Sequence, residues 1–211
     1  MENKVFEQKQ DHYEMTCEYW RDIFLKMDHE ELVRRFELQS DENALYIRFC
    51  CREYRIDRMS GIITCEENPG RRVSFDALMS IYNLFYYSKA GAAVCGKFVP
   101  FRDVKRASPF APAFEKSVKS GLAIPFSGKA ELLRKAGELL QGEPVSYGDV
   151  GFIFRTFDFM PVMVVFWDAD DEFEAQANLL FDADITDFIH EETVCCIAGE
   201  LMARLAEEAG L

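Results

Sequence analysis

The sequence predicts an α+β fold: an antiparallel (mixed) β-sheet with a meander at residues 152–181, covered by helices that include a C-terminal one. Three observations carry this reading. First, Phe173, Ala175, Ala177, Leu179 and Phe181 alternate with Glu174, Gln176, Asn178, Leu180 and Asp182, the period-two pattern of a strand buried on one face, broken only at Leu180. Second, residues 162–167 form an unbroken apolar run between Pro161 and Asp168, as a central strand covered on both faces requires. Third, residues 152–159 give another strand, and the connections through Met160-Pro161 and residues 168–172 are too short for the crossover that parallel neighbours need. The strands are therefore antiparallel, with 162–167 in the interior and 173–181 beside it. The odd positions of 173–181 are expected to face the C-terminal helix.

The remaining elements follow from local pattern. Tyr13, Cys17, Trp20, Phe24 and Met27 recur at helical spacing and predict an amphipathic helix over about residues 6–27. Asp28 and Glu31 form a capping-box-like start for a short helix ending near Arg35, with Leu32 and Phe36 facing inward. Alternation at 45–50 and 53–57, then a third segment at 62–64, predicts three short antiparallel strands. Ser74 can cap a helix with the stripe Phe75, Leu78, Met79, Tyr82, Phe85 and Tyr86, which Gly91 would end. Large apolar side chains at that spacing are what a sheet-covering helix needs, so the stripe reads as core rather than as a cofactor box. Residues 96–126 are rich in proline, with a short helix at 114–118. Residues 127–140 return to helix, and Val194, Ile197, Ala198, Leu201, Met202 and Leu205 give the last helix its buried face. The two β regions could form one sheet or two within a single domain of residues 1–211, and one mixed sheet with helices on a face is preferred, because sheets need covering and the helices supply the apolar stripes.

Composition narrows the function classes. About half of the 211 residues are apolar, with 19 Phe, so a substantial core can form. The N-terminus is charged and no apolar run approaches membrane-spanning length, so the chain is expected to be cytoplasmic with no membrane partner. Seven cysteines include two adjacent pairs, Cys50-Cys51 and Cys195-Cys196, in no ligand-like spacing; they read as reduced, buried structural thiols, and no metal site is expected. Net charge is −13 but unevenly spread: residues 97–135 carry nine Lys and Arg against three Asp and Glu, and residues 136–211 carry two against 17. An acidic chain is a poor match for nucleic acid, whereas its local basic stretch suits a small anion.

The segments GKFVPFRDV (96–104), SPFAPAFEKSV (108–118) and PVMVVFWDADDEFEAQANLLFD (161–182) resemble a bacterial and archaeal family of uncharacterised proteins, number thirty-seven eighty-six in the domain-of-unknown-function series. Some relatives look as though they carry an attached cysteine-rich iron-sulfur domain, and the resemblance implies proximity to redox or one-carbon metabolism. This chain has no Cys-x-x-Cys-x-x-Cys run, so cluster binding does not carry over. The family offers no catalytic residues and leaves the cofactor unknown.

Three groups of residues are candidates for chemistry. Lys97, Arg102, Lys105 and Arg106 could hold a carboxylate or phosphate through paired hydrogen bonds, with Phe101, Phe98 and Phe110 walling an apolar pocket. The bland alternative, preferred on charge distribution, is that these cations pair with the acidic final third. Asp168, Asp170, Asp171, Glu172 and Glu174 superficially resemble oxygen ligands but lack the glycine and closing glutamate of an EF-hand, so they read as a solvated turn. His190 beside Glu191 and Glu192 reads as a surface histidine at a helix start rather than a general base. No nucleophile motif, dinucleotide fingerprint or Walker pattern is present, which leaves an enzyme with an unrecognised site as an alternative that is unsupported rather than excluded. The expectation is a non-catalytic module for a small anionic metabolite or cofactor. The alternative is an accessory protein that docks on a redox or iron-sulfur enzyme through its acidic end.

Overall fold

The computed structural model describes residues 2–211, with side chains from His12 onward. Helices α1 (Glu2–Phe24) and α2 (His29–Phe36) lead into strands β1 (Gln39–Ser40), β2 (Ala44–Phe49), β3 (Arg52–Asp57) and β4 (Ile63–Cys65). Helix α3 (Phe75–Tyr87) and strand β5 (Phe98–Pro100) precede α4 (Ala111–Val118), α5 (Ile124–Phe126) and α6 (Ala130–Leu139). The chain closes with β6 (Glu143–Pro144), β7 (Val150–Phe157), β8 (Met160–Trp167), β9 (Gln176–Asp182) and α7 (Glu191–Glu208). This is an α+β fold with antiparallel sheets and a covering C-terminal helix.

The meander stands where the period-two pattern placed it. β8 lies between β7 and β9, antiparallel to both, and Val162, Val164, Val165 and Phe166 are at most 2% exposed. Its partner begins later than the alternation predicts. Asp170 accepts hydrogen bonds from the Glu172 and Phe173 amides at 2.8 and 2.7 Å, a side-chain turn that takes these residues out of the ladder. Phe173 is consequently 62% exposed and the strand starts at Gln176, although Ala175, Leu179 and Phe181 keep the buried phase. The Phe181 ring meets Phe101 and Phe114 rather than resting on α7. The helical segment from α4 to α5 forms that intervening layer.

Of the two arrangements the sequence leaves open, the preferred single sheet is not the one formed: there are two, ordered β1-β2-β3-β4 and β5-β9-β8-β7-β6. They meet at one point instead of pairing. The β7–β8 register shifts between Arg155 and Phe157, which releases the Thr156 carbonyl to accept from the Cys50 amide of the other sheet at 2.7 Å. Phe49 and Phe157 stack across that junction at 4.5 Å. The buried apolar residues of both sheets form one contiguous cluster.

The helix caps follow sequence logic. Asp28 accepts from the Glu30 and Glu31 amides and starts α2, and the Ser74 hydroxyl accepts from the Ala77 amide and starts α3. Gly91 does not end α3, which stops at Tyr87 with Ser88 as its cap. α3 is buried on nearly all sides because it lies between α1 and α7, while Tyr86 of the predicted stripe is 53% exposed. Residues 101–126, expected to be mainly loop, are a chain of short helical turns: 3-10 turns at Phe101–Asp103 and Ser108–Phe110, then α4, a π turn at Lys119–Ala123, and α5.

Candidate functional site

Four arginines from three parts of the chain converge on one cleft of about 350 Å³, whose lining also includes Tyr54, Glu200 and Glu207. Arg52 opens β3, Arg71 and Arg72 follow the turn at Asn68-Pro69-Gly70, and Arg204 projects from α7. Arg71 donates to both Glu207 oxygens, at 2.5 and 3.1 Å, while Arg52 and Arg204 donate at 2.7 and 3.1 Å. The Arg71 hydrogen bonds foremost, with Arg52 and Arg204 adding to them, hold the Glu207 carboxyl down to about 2 against the opposing effect of burial.

The wall beneath is well fixed. Arg204 is 6% exposed, and its guanidinium also reaches Glu208 at 3.0 Å and the Cys50 carbonyl at 3.3 Å. Glu200 is 5% exposed and accepts from the Ser74 hydroxyl at 2.5 Å. Burial raises the Tyr54 phenol above its ordinary range. Arg72 differs from its neighbours: its side chain is 75% exposed and lies 3.5 Å from Glu14, its one ion pair among the described residues. The cleft thus combines a carboxylate clamped by three guanidinium groups with a fourth guanidinium open to solvent.

The basic loop singled out by sequence disperses. Phe101 is 2% exposed and stacks on Phe114 at 4.2 Å, so it belongs to the core, and Phe98 and Phe110 are half-buried. Arg102 lines a separate cavity of about 330 Å³, shared with Glu115, Gln176 and Asn178. Lys97 is exposed just before β5. Arg106 reaches Glu191 at 3.5 Å, and Lys105 adds to Lys89 in holding the Asp187 carboxyl down. Of the four cations, Arg102 lines this cavity, while Lys105 and Arg106 lie against acidic residues of the final third.

Sequence reasoning passed over Arg52, Arg71, Arg72 and Arg204. The adjacent Arg71-Arg72 between a turn and a helix cap was the available signal, but nothing in sequence places Arg204 opposite it. The acidic turn is structural, because Asp168 accepts from the Gly128 and Ala130 amides at 2.6 and 3.2 Å, capping α6 from 40 residues away in sequence. His190 is the N-cap of α7, its Nδ1 accepting from the Glu192 amide at 3.3 Å.

The cysteines are all free; Cys50 and Cys65 are buried, Cys95 is exposed and the others are half-buried. The ligand atoms of Cys95, Asp182 and Asp184 lie within 4.8 Å of one another. The buried Asp182 carboxylate in that group is already occupied by the Cys95, Gly96 and Asp184 amides, at 3.1, 2.7 and 3.0 Å, so it serves as a loop anchor.

The chain matches a family model described as Domain of unknown function (DUF3786) over residues 28–204. The chain belongs to this family. The matched span holds Arg52, Arg71, Arg72 and Arg204 as well as the basic loop, whereas Glu207 lies just beyond it. No curated protein and no solved structure matches the chain.

Proposed function

We propose that the protein is a non-catalytic binding module for a small anionic metabolite or cofactor, seated in the arginine cleft. One observation carries the reading: three guanidinium groups are already organised around a carboxylate, and Arg72 stands at the same cleft with its side chain 75% exposed. Arginine's planar fork suits paired hydrogen bonds to carboxylate or phosphate, and the burial of Arg204 and Glu200 fixes the wall in advance, which lowers the ordering cost of binding. A polyanion such as citrate or pyrophosphate is the chemical class that suits the cleft.

The test is calorimetric titration and thermal shift with citrate and pyrophosphate. A ligand at a hundred times its dissociation constant adds about 2.7 kcal/mol of stability. Arg72→Ala should abolish that gain without changing the melting temperature of the free protein. Arg102→Ala is the second arm, because it reports on the cavity beside the basic loop. Absence of binding by every polyanion at millimolar concentration, or binding indifferent to both variants, overturns the reading.

The docking alternative draws on the acidic final third. Five of the 17 acidic residues of that third, Glu174, Asp187, Glu191, Glu207 and Glu208, already face Lys119, Lys89, Arg106, Arg71 and Arg204, so part of its charge is engaged internally and we rank it second.

A further inference from the structure

A second cleft, of about 450 Å³, opens where the end of α2, the loop after α3, the β7–β8 turn and the segment before α7 meet. Its apolar wall is a run of near-parallel rings: Phe36 stacks on Phe159 at 6.1 Å with 25° between the planes, and Phe159 stacks on Phe188 at 5.4 Å with 27°. Phe36 and Phe159 are only partly buried and both line the cleft, and Phe159 also stacks on Phe157 at 6.0 Å with 10° between the planes.

Polar groups suited to recognition surround that wall. The Arg35 guanidinium lies 5.3 Å from the Phe36 ring centroid and makes no ion pair among the described residues. Lys89 also lines the cleft, partly neutralised by Asp187. Ser88 is 7% exposed, lines the cleft, and its hydroxyl makes no hydrogen bond among the described residues. Glu37 takes the left-handed conformation, with φ 52°, at the end of α2 and adds an exposed carboxylate at the rim.

We propose that this cleft binds a planar nitrogen heterocycle with an anionic tail, of the nucleoside monophosphate class. The flat ring stacks on the phenylalanine wall, the tail takes the charge of Arg35 and Lys89, and Ser88 and Glu37 supply one hydroxyl and one acceptor for ring nitrogens. The volume falls within the range of small-molecule sites, and partly exposed aromatic rings next to a guanidinium with no ion pair among the described residues are the arrangement that stacking and phosphate recognition share. The site uses none of the residues of the arginine cleft.

Titration of the full chain with adenosine 5′-monophosphate, adenosine and inorganic phosphate tests the proposal. The nucleotide should bind with at least tenfold higher affinity than either fragment, because only it engages both wall and cations. Arg35→Ala should weaken it at least tenfold, and Ala93→Trp, on the exposed loop lining the cleft, should block it without affecting the core. Arg72→Ala should leave it unchanged. Absence of nucleotide binding at millimolar concentration, or binding that survives both Arg35→Ala and Ala93→Trp, overturns the proposal. Nucleotide binding lost in Arg72→Ala and retained in Arg35→Ala also overturns it, and assigns the ligand to the arginine cleft.

Discussion

The Asp76 carboxyl group at the start of α3 rests against Gly199 of α7, in the space that a methyl group on Gly199 would need. That contact lets the two helices approach closely, and their packing is the most extensive between helices among the described residues. Alanine ordinarily improves a helix interior over glycine by about 1 kcal/mol. Gly199→Ala should nonetheless destabilise by about 1–3 kcal/mol, the usual range for overpacking. In an Asp76→Ala background the same change should be neutral or stabilising, which gives a coupling of at least about 1 kcal/mol in denaturant titrations. Equal effects in the two backgrounds would contradict the contact.

Asp76 also makes a pH prediction. Burial, with Glu200 adding, raises its carboxyl from 3.8 to about 6, although a hydrogen bond from Cys196 opposes this. The folded state therefore binds a proton more tightly than the unfolded chain. The associated stability is fully present below pH 3.8 and is lost as pH rises through about 6. Asp76→Asn removes the titration, so the variant should gain on the wild type between those values and hold an advantage of up to about 3 kcal/mol at pH 8. Melting curves at pH 4 and pH 8 read this directly; an advantage independent of pH would mean that Asp76 is not the titrating group.

How far the sequence reveals the fold depends on whether the determining interaction is local. The α2 and α3 starts are legible because Asp28 and Ser74 cap amides two or three residues away, and β8 is legible because both of its faces are apolar. The split into two sheets is not, since it rests on a register shift at Thr156 and on an amide at Cys50, more than a hundred residues earlier. The same holds for the site. The basic loop is contiguous in sequence and disperses in space, whereas the arginine cleft is assembled from positions 52, 71, 72 and 204 and has no local signature. Asp168 looks like free charge in a turn until Gly128 and Ala130 are seen donating to it.

Cys50 and Cys51 form the two-residue turn between β2 and β3, since Phe49 pairs with Arg52, and both are left-handed, with φ 46° and 60°. Such turns favour asparagine and glycine, and a left-handed side chain costs roughly 1–2 kcal/mol. The Cys51 thiol partly offsets this by donating to the Leu140 carbonyl at 3.0 Å. Cys51→Gly and Cys51→Ala both remove that bond, but only glycine relieves the backbone. Cys51→Gly should therefore be more stable than Cys51→Ala by about 1 kcal/mol, the reverse of the order in regular structure. The opposite order in chemical denaturation would place the turn in another conformation.

Val165 is fully buried in β8, opposite Gly151 and Asn178, whereas Asp170 lies in the exposed turn that precedes β9. Val165→Asp leaves an unpaired charge in the sheet and should remove roughly 3–5 kcal/mol, enough to unfold a domain of ordinary stability. Asp170→Ala gives up two exposed side-chain-to-backbone bonds and should lower stability by no more than about 1 kcal/mol. Melting temperatures within a degree of each other would mean that the meander is misplaced.

Asp182 joins the meander to the segment that carries the basic loop. It ends β9 at 1% exposure, and its two oxygens accept from the amides of Cys95, Gly96 and Asp184, tying the chain just before β5 to the sheet edge. Asp182→Ala leaves three part-buried amides without this acceptor and should cost about 1–3 kcal/mol, because a bond left unmade away from water costs more than a made one returns. Asp182→Asn keeps one acceptor oxygen and turns the other into a donor aimed at an amide, so it should lie close to the alanine variant rather than midway to wild type. Hydrogen exchange at Cys95 and Gly96 separates the local effect from the global one. Protection there should fall further than in β8 if the carboxylate anchors this segment, and an equal fall at both places would reduce Asp182 to a general contributor to stability.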